Sequence, residues 1–243
     1  MNDISSLLLL SGNNIPFKSG RCVIHQPTIK EIAFIGEESY QYGTHFLMFS
    51  KNDLSEQDRK DLANYDDFDI FMSVINKTES KKHKTNVILI LTLLFPEAKV
   101  EIGKDKILLH LENFETCINK ENFKEFQDIL QQIFCMNGFG NNTNFNPADD
   151  LARGIAEKFK KRQEKLAEKK EEKKKINIFS RYISILSVGL QKDMNELMQY
   201  TVYQLLDEFE RFKMKQDFDV YVQARMAGAK DIDEVKNWME EIH

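Results

Sequence analysis

The chain has 243 residues, with 34 Lys and Arg against 39 Asp and Glu for a formal net charge of −5, and 42% of its residues are hydrophobic. Eighteen Phe join the aliphatics, enough for a sizeable core, so wholesale disorder is excluded and the length suits one or two domains. The 10 Gly and 4 Pro are scarce, which favours helix, and the longest apolar run, residues 87–95, falls far short of the roughly 18 residues that a bilayer-spanning helix needs.

The leucines at 7–10 follow no basic residue and precede no small-residue cleavage site, so they do not read as a secretory signal. Residues 21–26 read as a short strand that ends at Pro27. Thr28 with Glu31 has capping-box form, and Ile32, Ile35, Tyr42, Phe46 and Leu47 continue one buried helical face, weakened by Gly36 and Gly43. A short helix is expected within the polar residues 51–65. Asp66, Asp67 and Asp69 start another that carries Phe71, Val74 and Ile75, because acidic groups there complement the helix dipole. After a basic, polar segment at 77–84, residues 87–95 read as a helix buried on most sides. The period then changes: 99–102 and 107–111 flank Gly103-Lys104-Asp105 as a hairpin, expected to pair with the strand at 21–26 or to pack on a helix. Phe123, Phe126, Ile129, Leu130 and Ile133 make the stripe of an amphipathic helix over 121–136, and the Gly/Asn-rich run 137–146 closes the first domain.

Pro147 suits a helix start, and Leu151, Ile155, Phe159 and Leu166 mark a stripe that fades into lysines. Residues 157–175 hold nine Lys and one Arg against five Glu, a local +5, whereas residues 193–243 carry −6. After an apolar stretch at 176–190, helices are predicted over 194–212, 218–227 and from 231 to the end, the last capped by Asp231 and Glu234. These three form a small bundle. The fold class is α+β: a mostly helical N-terminal domain with a small β-sheet at 1–137, a charged linker helix at 147–175 and a C-terminal helical domain at 176–243.

No catalytic constellation emerges. The glycines of the GFG at 138–140 lack the third glycine and the Lys-Ser/Thr of a phosphate loop, and Cys22 and His25 point to opposite faces of a strand with no third ligand nearby. The five His are scattered singly. The three Asp at 66–69 lack the schedule of a calcium loop, and the acids Glu97, Glu101, Asp105 and Glu112 place no Glu-x-Lys within one predicted strand, as a metal-dependent nuclease would need. Three cysteines, Cys22, Cys117 and Cys135, odd in number and widely spaced with no CxxC, suit a reducing compartment. The reading is therefore of a non-enzymatic protein with no cofactor and no metal. The lysine-rich helix reads as a solvated linker, with phosphate contact or docking to an acidic protein as alternatives. Interleaved glutamates and the lack of aromatics argue against nucleic acid.

The order of segments carries a resemblance. PTIKEIAFIGEESYQYG, the Asp-Phe-Asp before Phe71, the KVEI and KILL strands, KENFKEFQDIL, NPADDLARGIAEKFKKRQEKLA and TVYQLLDEFERFKMKQDFDVYVQARMAGAKDIDEVKNWMEEI resemble a family of tail-module proteins of phages of low-GC Gram-positive bacteria. That family is similar to tail assembly chaperones. The resemblance implies a helper in the host cytoplasm that holds the tape-measure protein or other phage tail proteins, such as tail-tube subunits, before polymerisation, with self-association as a further mode and no membrane. In such chaperones a frameshift often joins a short form to an extension, which the lysine codons near residues 171–175 would suit. The alternative is a baseplate or neck component that stays in the virion. Such a helper needs adaptable apolar surface, which Met194, Met198, Met214, Met226 and Met239 could supply if they do not simply fill a core. Tyr203, Arg211, Tyr221, Arg225 and Trp238 are the expected partner-binding residues, since these three residue types most often anchor interfaces.

Overall fold

A computed structural model of the chain describes residues 4–17, 22–51, 64–76, 81–135, 178–228 and 235–240, together with Lys60 and Leu62. The architecture is α+β. In chain order the described elements are α1 (Ser6–Ser11), β1 (Ile15–Phe17), β2 (Cys22–Ile24), α2 (Ile29–Ile35), α3 (Glu37–Leu47), α4 (Asp67–Ile75), α5 (Lys81–Leu94), β3 (Lys99–Ile102), β4 (Ile107–His110), β5 (Glu115–Ile118), α6 (Phe123–Ile133), α7 (Ile178–Leu190), α8 (Met194–Leu197) and α9 (Val202–Met226). The expected linker helix at 147–175, the boundary near 137 and most of the polar stretch 51–65 lie outside the described residues.

Two helix starts behave as their sequences dictate. Thr28 Oγ1 accepts from Glu31 N–H while the Glu31 carboxylate accepts from Thr28 N–H, and Asp66 and Asp69 close the same reciprocal box on α4. Elsewhere the pattern departs from expectation. Residues 28–47 form two helices, because Gly36 takes a φ of 84° that ends α2 and starts α3. The strand at 22–24 does not join the hairpin. It pairs antiparallel with β1, Ile15 opposite Ile24, and the hairpin gains β5 instead, in the order β3-β4-β5. The expected helices at 194–212 and 218–227 are replaced by short α8 and one continuous 25-residue α9. Thr201 and Gln204 form a capping box that breaks the chain after α8, and the polar residues between 213 and 217 sit on the helix exterior without interrupting it. Residues 235–240 are turn, not helix, so the predicted last helix is not formed there.

Among the described residues a single hydrophobic core runs from α1 to the first half of α9. Phe17, Phe68, Phe71, Phe95, Phe123 and Phe126 form its centre, with ring separations from 5.0 to 6.5 Å. Such tilted contacts add to the gain from burying large apolar surfaces. The C-terminal helices join this core directly. Ile29 N–H donates to Tyr200 C=O and Lys30 N–H to Met198 C=O, each at 2.8 Å, beside an antiparallel bridge between Thr28 and Thr201. The buried Tyr40 ring touches Phe134 at 5.4 Å and Phe179 at 5.5 Å.

Candidate interaction surface

The helix α9 begins as a core element and ends as something else. Val202 and Leu205 are buried, and Leu206, Phe209 and Phe212 pack against the core. Tyr182 of α7 stacks on Phe209 at 4.1 Å, and Gly189 leaves room for the Phe212 ring, which an added Cβ would approach to 2.3 Å. Beyond Phe212 no residue of α9 belongs to the core, so its last fourteen residues, about 21 Å at 1.5 Å per residue, extend past it. Val220 is 64% exposed and Met226 84%.

The root of this extension is held firmly. The Lys192 ammonium donates to the Tyr200 hydroxyl at 2.8 Å and to the Glu208 carboxylate at 2.9 Å, tying the turn after α7 to α9. Burial works against its charge, but Tyr200 and Glu208 outweigh that and raise its pKa. On the neighbouring side, burial pushes the Cys135 thiol well above its ordinary range, with Asp207 adding to the effect, which disfavours the thiolate.

Four of the five residues singled out from the sequence fall on one face of α9. Arg211, Met214, Phe218, Tyr221 and Arg225 follow each other at alternating spacings of three and four, which stacks them in a single stripe. Tyr203 continues the same face toward the core, where it is only 4% exposed, its hydroxyl bonded to Ser6 of α1. Its ring is therefore a packing element in this fold. At the other end the Arg225 guanidinium lies 5.7 Å from the Tyr221 ring centroid, a cation–π distance. Trp238 is brought to the same face through Arg211, whose Nη1 donates to the carbonyl oxygens of Trp238 at 3.0 Å and Glu240 at 2.8 Å. Arg211, Met214, Phe218 and Tyr221 of the stripe are half-buried and Arg225 is exposed, as are residues 215–217, 220, 222 and 223 of the same helix.

The sequence missed a second surface feature. A cleft of about 240 Å³ between α2 and α7 is lined by Ile29, Ile32, Ala33, Phe179, Ile183 and Met198 together with the polar Glu37 and Ser180, and Phe34 on its helix is 84% exposed. Only the break at Gly36, which turns α2 away from α3, could have flagged it. The chemistry available to these surfaces is contact chemistry. Among the described residues no group of three or more His, Cys, Asp or Glu could hold a metal ion, and no helix is long and apolar enough to cross a membrane.

Residues 169–243, which include α7, α8 and α9, match the family model of the YomV second domain. That family is of phage origin, so the match suggests a phage protein. No curated protein and no solved structure matches the chain.

Proposed function

We propose that the chain is a phage tail assembly chaperone that holds the tape-measure protein or tail-tube subunits in the host cytoplasm before they polymerise, acting by binding and not by catalysis. One observation carries this reading: α9 leaves the core after Phe212 and presents a stripe of Arg, Met, Phe and Tyr along its free length. A client-holding surface needs large amphipathic anchors that can repack; Met adapts to different partners, and Tyr and Arg are the types that most often anchor interfaces. The phage-family match over 169–243 supports it, because that segment contains the whole of α9. The test is co-expression with the tape-measure protein of the same phage. Capture by the wild-type chain should fall at least tenfold with Tyr221→Ala and Arg225→Ala combined, a loss of about 1.4 kcal/mol or more that is typical of interface anchors. Unchanged capture would remove α9 as the client site. Mass spectrometry of purified particles separates this role from that of a baseplate or neck subunit, which would be present at fixed copy number where a chaperone would be absent.

A further inference from the structure

At the Arg211 end of the α9 stripe the half-burial has a visible cause. Residues 235–240 lie beside Arg211, roughly 20 Å back from the C-terminal end of α9 at 1.5 Å per residue. The helix ends at Met226, Gly228 takes a φ of 92° that suits a reversal, and the chain has come back to the level of Arg211 by Trp238. The anchoring is of an unusual kind. A single guanidinium grips two main-chain carbonyls two residues apart, so the contact reads backbone rather than side chain. Trp238 is half-buried, while Met239 next to it is 67% exposed. None of residues 235–240 belongs to the core, and they form turns rather than helix or strand. Among the described residues, the Arg211 hydrogen bonds tie this segment to α9.

We propose that residues 235–240 are a displaceable strap, an internal occupant of the α9 stripe that must leave before another polypeptide can lie on it. The incoming segment would use the same chemistry: carbonyls offered to Arg211 and an aromatic or thioether side chain over Met214, Phe218 and Tyr221. This rests on the reading of α9 as the client surface and adds a means of keeping that surface covered until a client is met. Covering also guards against self-adhesion, since an open stripe of Met, Phe and Tyr is a patch to which other chains adhere.

The chain contains one Trp, and it lies on the strap, so the state of the strap can be read without labels. In the full-length protein, Trp238 emission should be blue-shifted and only partly accessible to acrylamide. Arg211→Ala should shift it to the red and raise quenching toward that of free tryptophan, with the melting of the core unchanged, because removing both charged hydrogen bonds moves the open–closed equilibrium by about tenfold or more. Arg211→Lys should fall between the two, since the shorter lysine keeps a charged donor but ends short of the Nη1 position from which both carbonyls are reached. Trp238 equally shielded in Arg211→Ala, or already fully quenched in the wild type, overturns the strap. Should Arg211→Ala not fold, deletion of 235–243 replaces it: the strap requires stronger capture of the co-expressed tape-measure protein, and equal or weaker capture counts against it. Freed Trp238 in Arg211→Ala with no capture by any form of the chain would leave the strap standing and remove the chaperone reading alone.

Discussion

Gly43 shows how one missing side chain sets the distance between two helices. It is buried in α3, and a Cβ placed there would lie 2.7 Å from the Asn86 carbonyl oxygen and 2.6 Å from Ile90 Cγ1 of α5. Backbone cannot yield as a side-chain tip can, so Gly43→Ala should push α3 from α5 and cost about 1–3 kcal/mol, visible as a lower urea midpoint at unchanged slope. In the sequence this glycine registered only as a weakness in a helix, since its partner lies more than forty residues away. The opposite holds for Glu31 and Asp66. Their roles were legible because a capping box is written within four residues. Burial raises the pKa of both, yet other contacts win and hold them low: the Thr28 N–H, His25 and the Thr28 hydroxyl around Glu31, and Lys120 and the Asp69 N–H around Asp66. A carboxyl depressed in the folded state stabilises above its unfolded pKa, near 4, and that stabilisation is lost as pH falls through the folded value. Urea midpoints should therefore drop between pH 6 and pH 3, and Asp66→Asn should flatten part of that slope. An equal slope in Asp66→Asn would show that the acid sensitivity arises elsewhere.

At the scale of elements, the amphipathic helices were legible and their connections were not. The stripe Phe123, Phe126, Ile129, Leu130 and Ile133 reads as a helix in the sequence and is buried on α6 almost residue for residue. The three-residue β1 was invisible because Pro16 occupies its centre, and it survives by pairing only with β2. Likewise β5 carries Glu115 and Thr116 and gives little alternation, yet it completes the small sheet by setting Ile118 opposite Ile107, both fully buried. The break before α9 was legible in principle, as Thr-x-x-Gln, but it lay inside a continuous amphipathic pattern that favoured one helix from 194. That box sits where the C-terminal helices meet α2. Thr201→Ala should cost about 1 kcal/mol from the lost cap. It should also speed amide exchange at Ile29, which donates to the Tyr200 carbonyl next door. If exchange at Ile29 keeps its wild-type rate, the cap and the α2 junction are independent.

For the whole molecule, the question is what the highly charged stretch between residues 136 and 177 separates. Composition alone suggested a spacer between an N-terminal and a C-terminal unit. The described residues on either side of it show how closely its two ends are placed. Phe134, just after α6, and Phe179, in the first turn of α7, rest on the same Tyr40 ring. The Glu37 carboxylate also accepts from the Phe179 N–H at 3.2 Å, so α3 supplies a partner for an amide of the first turn of α7. The sequence could not reveal this shared contact, because Tyr40, Phe134 and Phe179 carry no pairing signal across so many positions. The consequence can be measured. Replacing residues 138–175 with a Gly/Ser linker of about ten residues should leave a folded chain with one cooperative transition. Shortening the closed loop about fourfold lowers its closure entropy by roughly 1 kcal/mol, so the melting temperature should hold or rise by about 2–4 °C. Two separate transitions, or release of α7 to α9 from the α2 junction with faster exchange at Ile29 and Lys30, would instead mean that the charged stretch itself holds the C-terminal helices in place.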